Sequence, residues 1–181
     1  MRRQLVLRRG LSLCVGAALA ARFICSSIPA SADVPAALIP PDGNVETVSL
    51  HGIGSQIYIS TPRANDPTKF QWVLKAPAAL LYNNGGHIMG SHYGGPTWES
   101  DNGSKVVGAR IAAVGSPDPN AIPWLLLKGV SHDGHGMFSE VTYIQRLDTQ
   151  GGKAPSAAPT EAGLEVSIPY TATYVFFEVA E

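Results

Sequence analysis

The chain is short of the residues on which most catalytic and metal-binding schemes rest. It holds two cysteines in 181 residues, Cys14 and Cys25, and both lie within the first 32. Beyond residue 32 there is no thiol for nucleophilic catalysis, no disulfide framework and no thiolate metal site. Charge is scarce too. Asp, Glu, Lys and Arg make up 15% of the chain, too little for the Glu-, Lys- and Arg-rich helices of a bundle. No 3.6-residue apolar period runs for the length of a helix, which argues against a helical or α/β fold. No Gly-x-Ser-x-Gly elbow and no phosphate-binding loop occurs. Gly52-Ile53-Gly54 and Gly134-His135-Gly136 lack the third glycine and the following helix of a dinucleotide loop.

What is present begins with an export leader. Arg2, Arg3, Arg8 and Arg9 precede an apolar stretch over 11–21, and Ala30-Ser31-Ala32 offers a small-residue cleavage site before Asp33. The apolar run is about half of the ~20 residues that span a bilayer, and Arg22 ends it. Arg8-Arg9-Gly10-Leu11 resembles a twin-arginine signal only loosely, since basic pairs are common at the start of export signals, and the route is not legible. Leu13 and Ile24 precede the cysteines, where a lipidated cysteine has a small residue. The expected location is the periplasm or the extracellular space, without membrane insertion once the leader is removed. The chain then divides into a signal peptide (1–32), an extended lead-in rich in Pro and Gly (33–45) and one β domain (46–181). The leader takes with it five arginines and no acid. The 149 residues from Asp33 onward hold eight basic and 14 acidic side chains, a net charge of −6. Such a surface repels phosphate and excludes nucleic acid as a partner. No oligomeric state is legible.

Short β-type runs fill the remainder: 46–50, 55–61, 70–75, 87–93, 97–99, 105–114, 122–128, 137–147 and one or two within 165–179. Residues 78–82 read as a helical turn or an edge strand. Asn-Gly and Pro turn signals separate the runs at roughly ten-residue intervals, the pattern of an all-β, single-domain antiparallel sandwich or barrel with long loops. Trp72, Trp124, Phe138, Tyr143 and Phe176 are expected in the core. The Gly-, Pro- and Ala-rich stretch 149–163 reads as a mobile surface loop.

The densest polar stretch, 87–104, supplies most of the candidate site residues: His92, Tyr93, Trp98, Glu99 and Asp101, with Arg146 from a distant strand. If their strand persisted, Glu99 and Asp101 would share a face with α-carbons about 7 Å apart, the short end of an inverting glycosidase pair. Turn chemistry at Asp101-Asn102-Gly103 is the simpler reading. Tyr82, Tyr93 and Trp98 form either a stacking surface for a ligand or ordinary core. Arg146 reads as an ion-pair partner of Glu99 or Asp101, or as a ligand contact. His132 and His135 stand three apart in a Gly-rich loop, too few for a zinc site. Neither a metal nor another cofactor is expected.

Several motifs together carry a family likeness: Gly54-x-Gln56-Ile57-Tyr58, His92-Tyr93-x-Gly95-Pro96-Thr97-Trp98-Glu99, Ile122-Pro123-Trp124, Gln145-Arg146-x-x-Thr149-x-Gly151-Gly152 and Pro169-Tyr170-Thr171-Ala172-x-Tyr174. Across nearly all of the chain beyond the leader, these resemble exported proteins of the domain-of-unknown-function family 3455. The resemblance implies no catalytic residues, since the family is defined by its want of an assigned function. It also implies a cysteine near Ser60 and another after Pro155, a pair absent here. Ala78 and Thr173 stand where the family carries acids.

Three functions are compatible with this reading. The first is non-catalytic binding of a small molecule or a cell-envelope component, such as a polysaccharide, through the six site residues. The second is a hydrolase using His92 with Glu99 or Asp101. The third is a purely structural or interaction protein. On the leader, N-terminal sequencing of the protein recovered from outside the cytoplasm should begin at or near Asp33; a retained Met1 would contradict it.

Overall fold

A computed structural model describes residues 33–181, so the leader lies outside the described residues. Eight antiparallel strands form one closed barrel in chain order: β1 (Asn44–Arg63), β2 (Asp66–Tyr82), β3 (Ile88–Tyr93), β4 (Thr97–Ser100), β5 (Lys105–Val114), β6 (Trp124–Asp133), β7 (Tyr143–Gly151) and β8 (Glu165–Val179). Each strand pairs with its sequence neighbours, and β8 returns to pair with β1 from Asn44↔Val179 to Ile59↔Glu165. The all-β expectation holds, and its barrel alternative is the one found.

Alternation sets the inside. On β1 the inward positions are Leu50, Gly52, Gly54, Gln56 and Tyr58, and on β8 they are Tyr170, Ala172, Tyr174 and Phe176. Residues 46–50 and 55–61, read as separate strands, are one strand. Gly52 and Gly54, taken for a break, are instead points of close approach. A Cβ on Gly52 would lie 2.5 Å from the Tyr174 ring, and one on Gly54 would lie 2.1 Å from the Ala78 carbonyl oxygen. Residues 78–82 likewise belong to β2. Pro77 is tolerated because β2 has there passed the end of β3, whose pairing begins at Ala79↔His92.

One end of the barrel is plugged. Residues 137–142, expected to begin a strand, form a turn that drops Phe138 and Val141 inside, against Ile144 and Phe176. Their three-residue spacing suits a turn, whereas a strand would bury alternate residues. Ser104 Oγ accepts from the Phe138 amide at 2.8 Å, and the His132 ring bonds the Val141 carbonyl at 2.7 Å. His132 is thus an anchor of the plug, and β6 runs on to Asp133.

The lead-in is part of the fold. A 3₁₀ turn, Ala36–Leu38, buries Leu38 against Trp124, Leu126, Leu147 and Val175 on the barrel's outer wall. Gln145 Nε2 donates to the Leu38 carbonyl at 2.7 Å. Of the expected core residues, Phe138 and Phe176 lie inside and Trp124 lies under the lead-in. Tyr143 is half-buried against the same outer cluster as Trp124. Trp72 instead sits on the projecting β1–β2 ribbon, its indole donating to the Ala157 carbonyl.

The 149–163 stretch, expected to be loose, is strapped down at the opposite end. Ser60 Oγ donates to Glu161 O at 2.5 Å and Tyr58 Oη to Gly152 O at 2.7 Å. Thr149 Oγ1 donates to Ile122 O at 2.5 Å, and Gly163 N to Ser60 O at 2.9 Å. Hydrogen bonds at Ser60 therefore hold the segment without a disulfide. The close approach at Gly54 has a direct test. Gly54→Ala should cost about 2–3 kcal/mol in urea unfolding through overpacking, while Gly115→Ala, with open space around it, should stay within about 0.5 kcal/mol.

Candidate functional site

The plugged end leaves space at the other. β3 and β4 have six and four residues while β2 has 17. The barrel wall is therefore incomplete on one side, between Lys75-Ala76-Pro77 of β2 and the Gly94-Gly95-Pro96 turn. Behind this gap lies a cavity of about 550 Å³, floored by His92, Trp98 and Tyr174 and walled by Gln56, Ile122, Leu125, Leu127 and Arg146. An eight-stranded barrel is just wide enough for its own side chains or for one small ligand.

The floor is an aromatic stack. His92 lies face to face with Trp98, ring centroids 4.3 Å apart and planes 15° apart, and Tyr174 meets both rings at an angle. His92 Nδ1 is 2.9 Å from the Thr97 carbonyl; a carbonyl only accepts, so this nitrogen carries the proton. Burial drives the His92 pKa down to about 3, against a smaller upward pull from the Thr97 bond. The ring is therefore neutral at pH 7. Trp98 is 1% exposed and belongs to the core; truncating it to alanine would cost about 3–5 kcal/mol, so it is no clean probe of binding.

Arg146 enters from β7, opposite Leu125 of β6 and Tyr174 of β8. Its Nε and Nη2 both donate to the Pro123 carbonyl, at 3.2 and 2.9 Å. Desolvation lowers its pKa, and the Tyr174, Tyr170 and Tyr58 hydroxyls counter that by favouring the charge. Tyr170 and Tyr174 bond each other through their hydroxyls at 3.0 Å, and burial raises both phenols. Arginine stays protonated under these conditions. Neither Glu99 nor Asp101 reaches it, so the expected ion pair does not form.

The six residues singled out in the sequence thus divide. His92, Trp98 and Arg146 line the cavity. Tyr93 and Glu99 lie on the outer face, where Tyr93 Oη donates to Glu99 Oε2 at 2.6 Å and the carboxylate raises the phenol's pKa. Lys105 stands 3.8 Å from Glu99 and 3.6 Å from Asp133. Asp101 sits in an exposed turn whose capping side chain is Asn102, which accepts from Ser100 Oγ and the Ser104 amide. Glu99 pairs with Ser91 across the β3–β4 ladder and His92 with Trp98, so His92 and Glu99 face opposite sides of the sheet. Among the described residues no three His, Cys, Asp or Glu side chains gather as metal ligands.

Sequence reasoning passed over Gln56, Tyr58, Tyr170 and Tyr174 as site residues. The available signal was parity: Gln56 continues the inward series of Leu50, Gly52 and Gly54, a polar residue in an apolar register.

A family model described as "Protein of unknown function (DUF3455)" matches residues 41–178, which span all eight strands and every cavity-lining residue. The chain belongs to this family. No curated protein and no solved structure matches it. In this DUF3455 barrel the folded His92 pKa lies below the ordinary 6.5. Between pH 6.5 and about 3 the unfolded chain binds the extra proton. Stability is therefore complete above pH 6.5 and falls by about 1.4 kcal/mol per pH unit as the solution is acidified through that window. Urea unfolding should show a loss of about 2 kcal/mol from pH 7 to pH 5, and His92→Phe, which keeps the stack, should remove it. The same pH dependence in the variant would contradict the assignment.

Proposed function

We propose that this protein is an exported, non-catalytic binding protein that holds a small molecule in the open end of its barrel. The observation that carries the reading is the cavity itself. One end of the barrel is filled with Phe138, Val141 and Phe176, and the other keeps a 550 Å³ space reached through the gap beside β3 and β4. That size lies within the usual range for small-molecule sites, and barrel mouths are a common place for them. A polysaccharide chain needs a longer open groove, so a compact molecule of the cell envelope fits better than a polymer.

Hydrolysis is less well supported. A general base needs a partner within hydrogen-bond reach of the reacting atoms. His92 is buried and neutral, its Nδ1 is engaged with Thr97, and neither Glu99 nor Asp101 shares its side of the sheet. Export rests on the leader: the basic start, the short apolar stretch and the Ala30-Ser31-Ala32 site.

A melting-temperature screen of small metabolites tests the reading. A ligand at 100 times its Kd stabilises the fold by about 2.7 kcal/mol. At least one compound should raise the melting temperature, and Ala76→Phe, which fills the mouth, should abolish the response without lowering stability in its absence. A screen without a single shift, or a variant that responds like the unaltered chain, would count against the proposal.

A further inference from the structure

We infer that the cavity takes an organic anion, with a carboxylate head on the Arg146 guanidinium and a compact apolar body against Trp98, Leu125, Leu127 and Pro96. The inference deepens the binding reading and rests on it.

The first ground is the sign of charge. From Asp33 onward acids outnumber bases by 14 to eight. Yet the cavity is lined by three cationic side chains, Lys75, Arg110 and Arg146, and by no carboxylate. Lys75 is matched at the rim by Glu165, and Arg110 is exposed on β5. Arg146 is the one drawn inward, and no ion pair within the described residues includes it. A cation largely withdrawn from water, as the half-buried Arg146 is, is stabilised when an opposite charge is brought to it. Two of its N–H groups share a single backbone carbonyl and the Tyr174 hydroxyl is a further partner, yet none of these brings a negative charge. A planar guanidinium matches a carboxylate with two parallel bonds.

The second ground is the kind of hydrogen-bonding group left over. Trp98 Nε1 is a buried donor without an acceptor, Gln56 Nε2 has no acceptor but the Tyr170 hydroxyl, already shared with Tyr174, and both residues line the cavity. An unpaired buried donor costs roughly 1–3 kcal/mol. Two donors short of acceptors beside an unmatched cation call for a ligand rich in acceptor oxygens. The remaining wall, from Ile122, Pro123, Leu125, Leu127 and Pro96, has no polar side-chain atom to offer and suits an alkyl or aryl body.

The test compares heads on one body: decanoate, decanol and decyltrimethylammonium, titrated by calorimetry into the chain expressed in full. Decanoate should bind at least tenfold more tightly than decanol, and the cation should not compete. Bound decanoate should move the Trp98 indole N–H resonance while leaving that of Trp124, on the outer wall, in place. Arg146→Met should bind decanoate and decanol alike. The head comparison in the unaltered chain decides the matter even if that variant fails to fold. Equal affinity for decanol overturns the inference and leaves the binding reading intact. So does silence toward decanoate in a chain that answers another compound in the melting screen. A chain that answers nothing in either experiment removes both.

Discussion

The pairing of β1 with β8 closes the sheet, and closure gives this protein an inside. β1 is hydrogen-bonded along both edges, to β2 and to β8, from the plugged end of the barrel to the ribbon that projects beyond the other. Without that seam the inward residues of β8 would have no wall opposite them, and the close fit of Gly52 under Tyr174 would have no purpose. Closure also removes the exposed strand edges that invite pairing with other chains. What remains irregular is therefore confined to one place, the side where β3 and β4 are too short to complete the wall.

That irregular side is where the unusual chemistry gathers. The filled end obeys the ordinary rule for a core: aromatic and aliphatic side chains, with polar contacts that only anchor a turn. Toward the gap the interior becomes polar in a one-sided manner, with donors and cations but few acceptors. His92 marks the boundary between the two halves. Its ring belongs to the aromatic stack, and its bond to Thr97 fixes the start of β4, so the residue joins the floor of the cavity to the strand that leaves it open.

Much of the fold could be read from the sequence because alternation and turn chemistry are local. The 105–114 strand is found with the bounds the sequence suggests, and the all-β class follows from short β-type runs set between turn signals. Gly52 and Gly54 misled because a glycine that admits a neighbouring ring looks, in one dimension, like a glycine that breaks a strand. Residues 137–147 misled because Phe138 and Val141 are buried at turn spacing just before a true strand begins. The site was half legible. His92, Trp98 and Arg146 stood out by residue type, whereas Tyr93, Glu99 and Asp101 are near them in sequence but on the other side of the wall. Which side a residue faces depends on register with a distant strand, and no local pattern states it. The lead-in went unread as structure because its one buried anchor, Leu38, matters only against Trp124 and Leu147, which are far along the chain.

The segment after β7 is held chiefly by donors that lie elsewhere. Tyr58, Ser60 and Trp72 reach the carbonyls of Gly152, Glu161 and Ala157, and all three acceptors are main-chain oxygens. A carbonyl is the same whichever side chain its residue carries. The path of the 152–164 stretch is therefore set largely by residues outside it, and its exposed side chains over 156–158 and 160–162 are free to change. Such a segment can be rewritten at those positions while the cavity of the barrel keeps its shape.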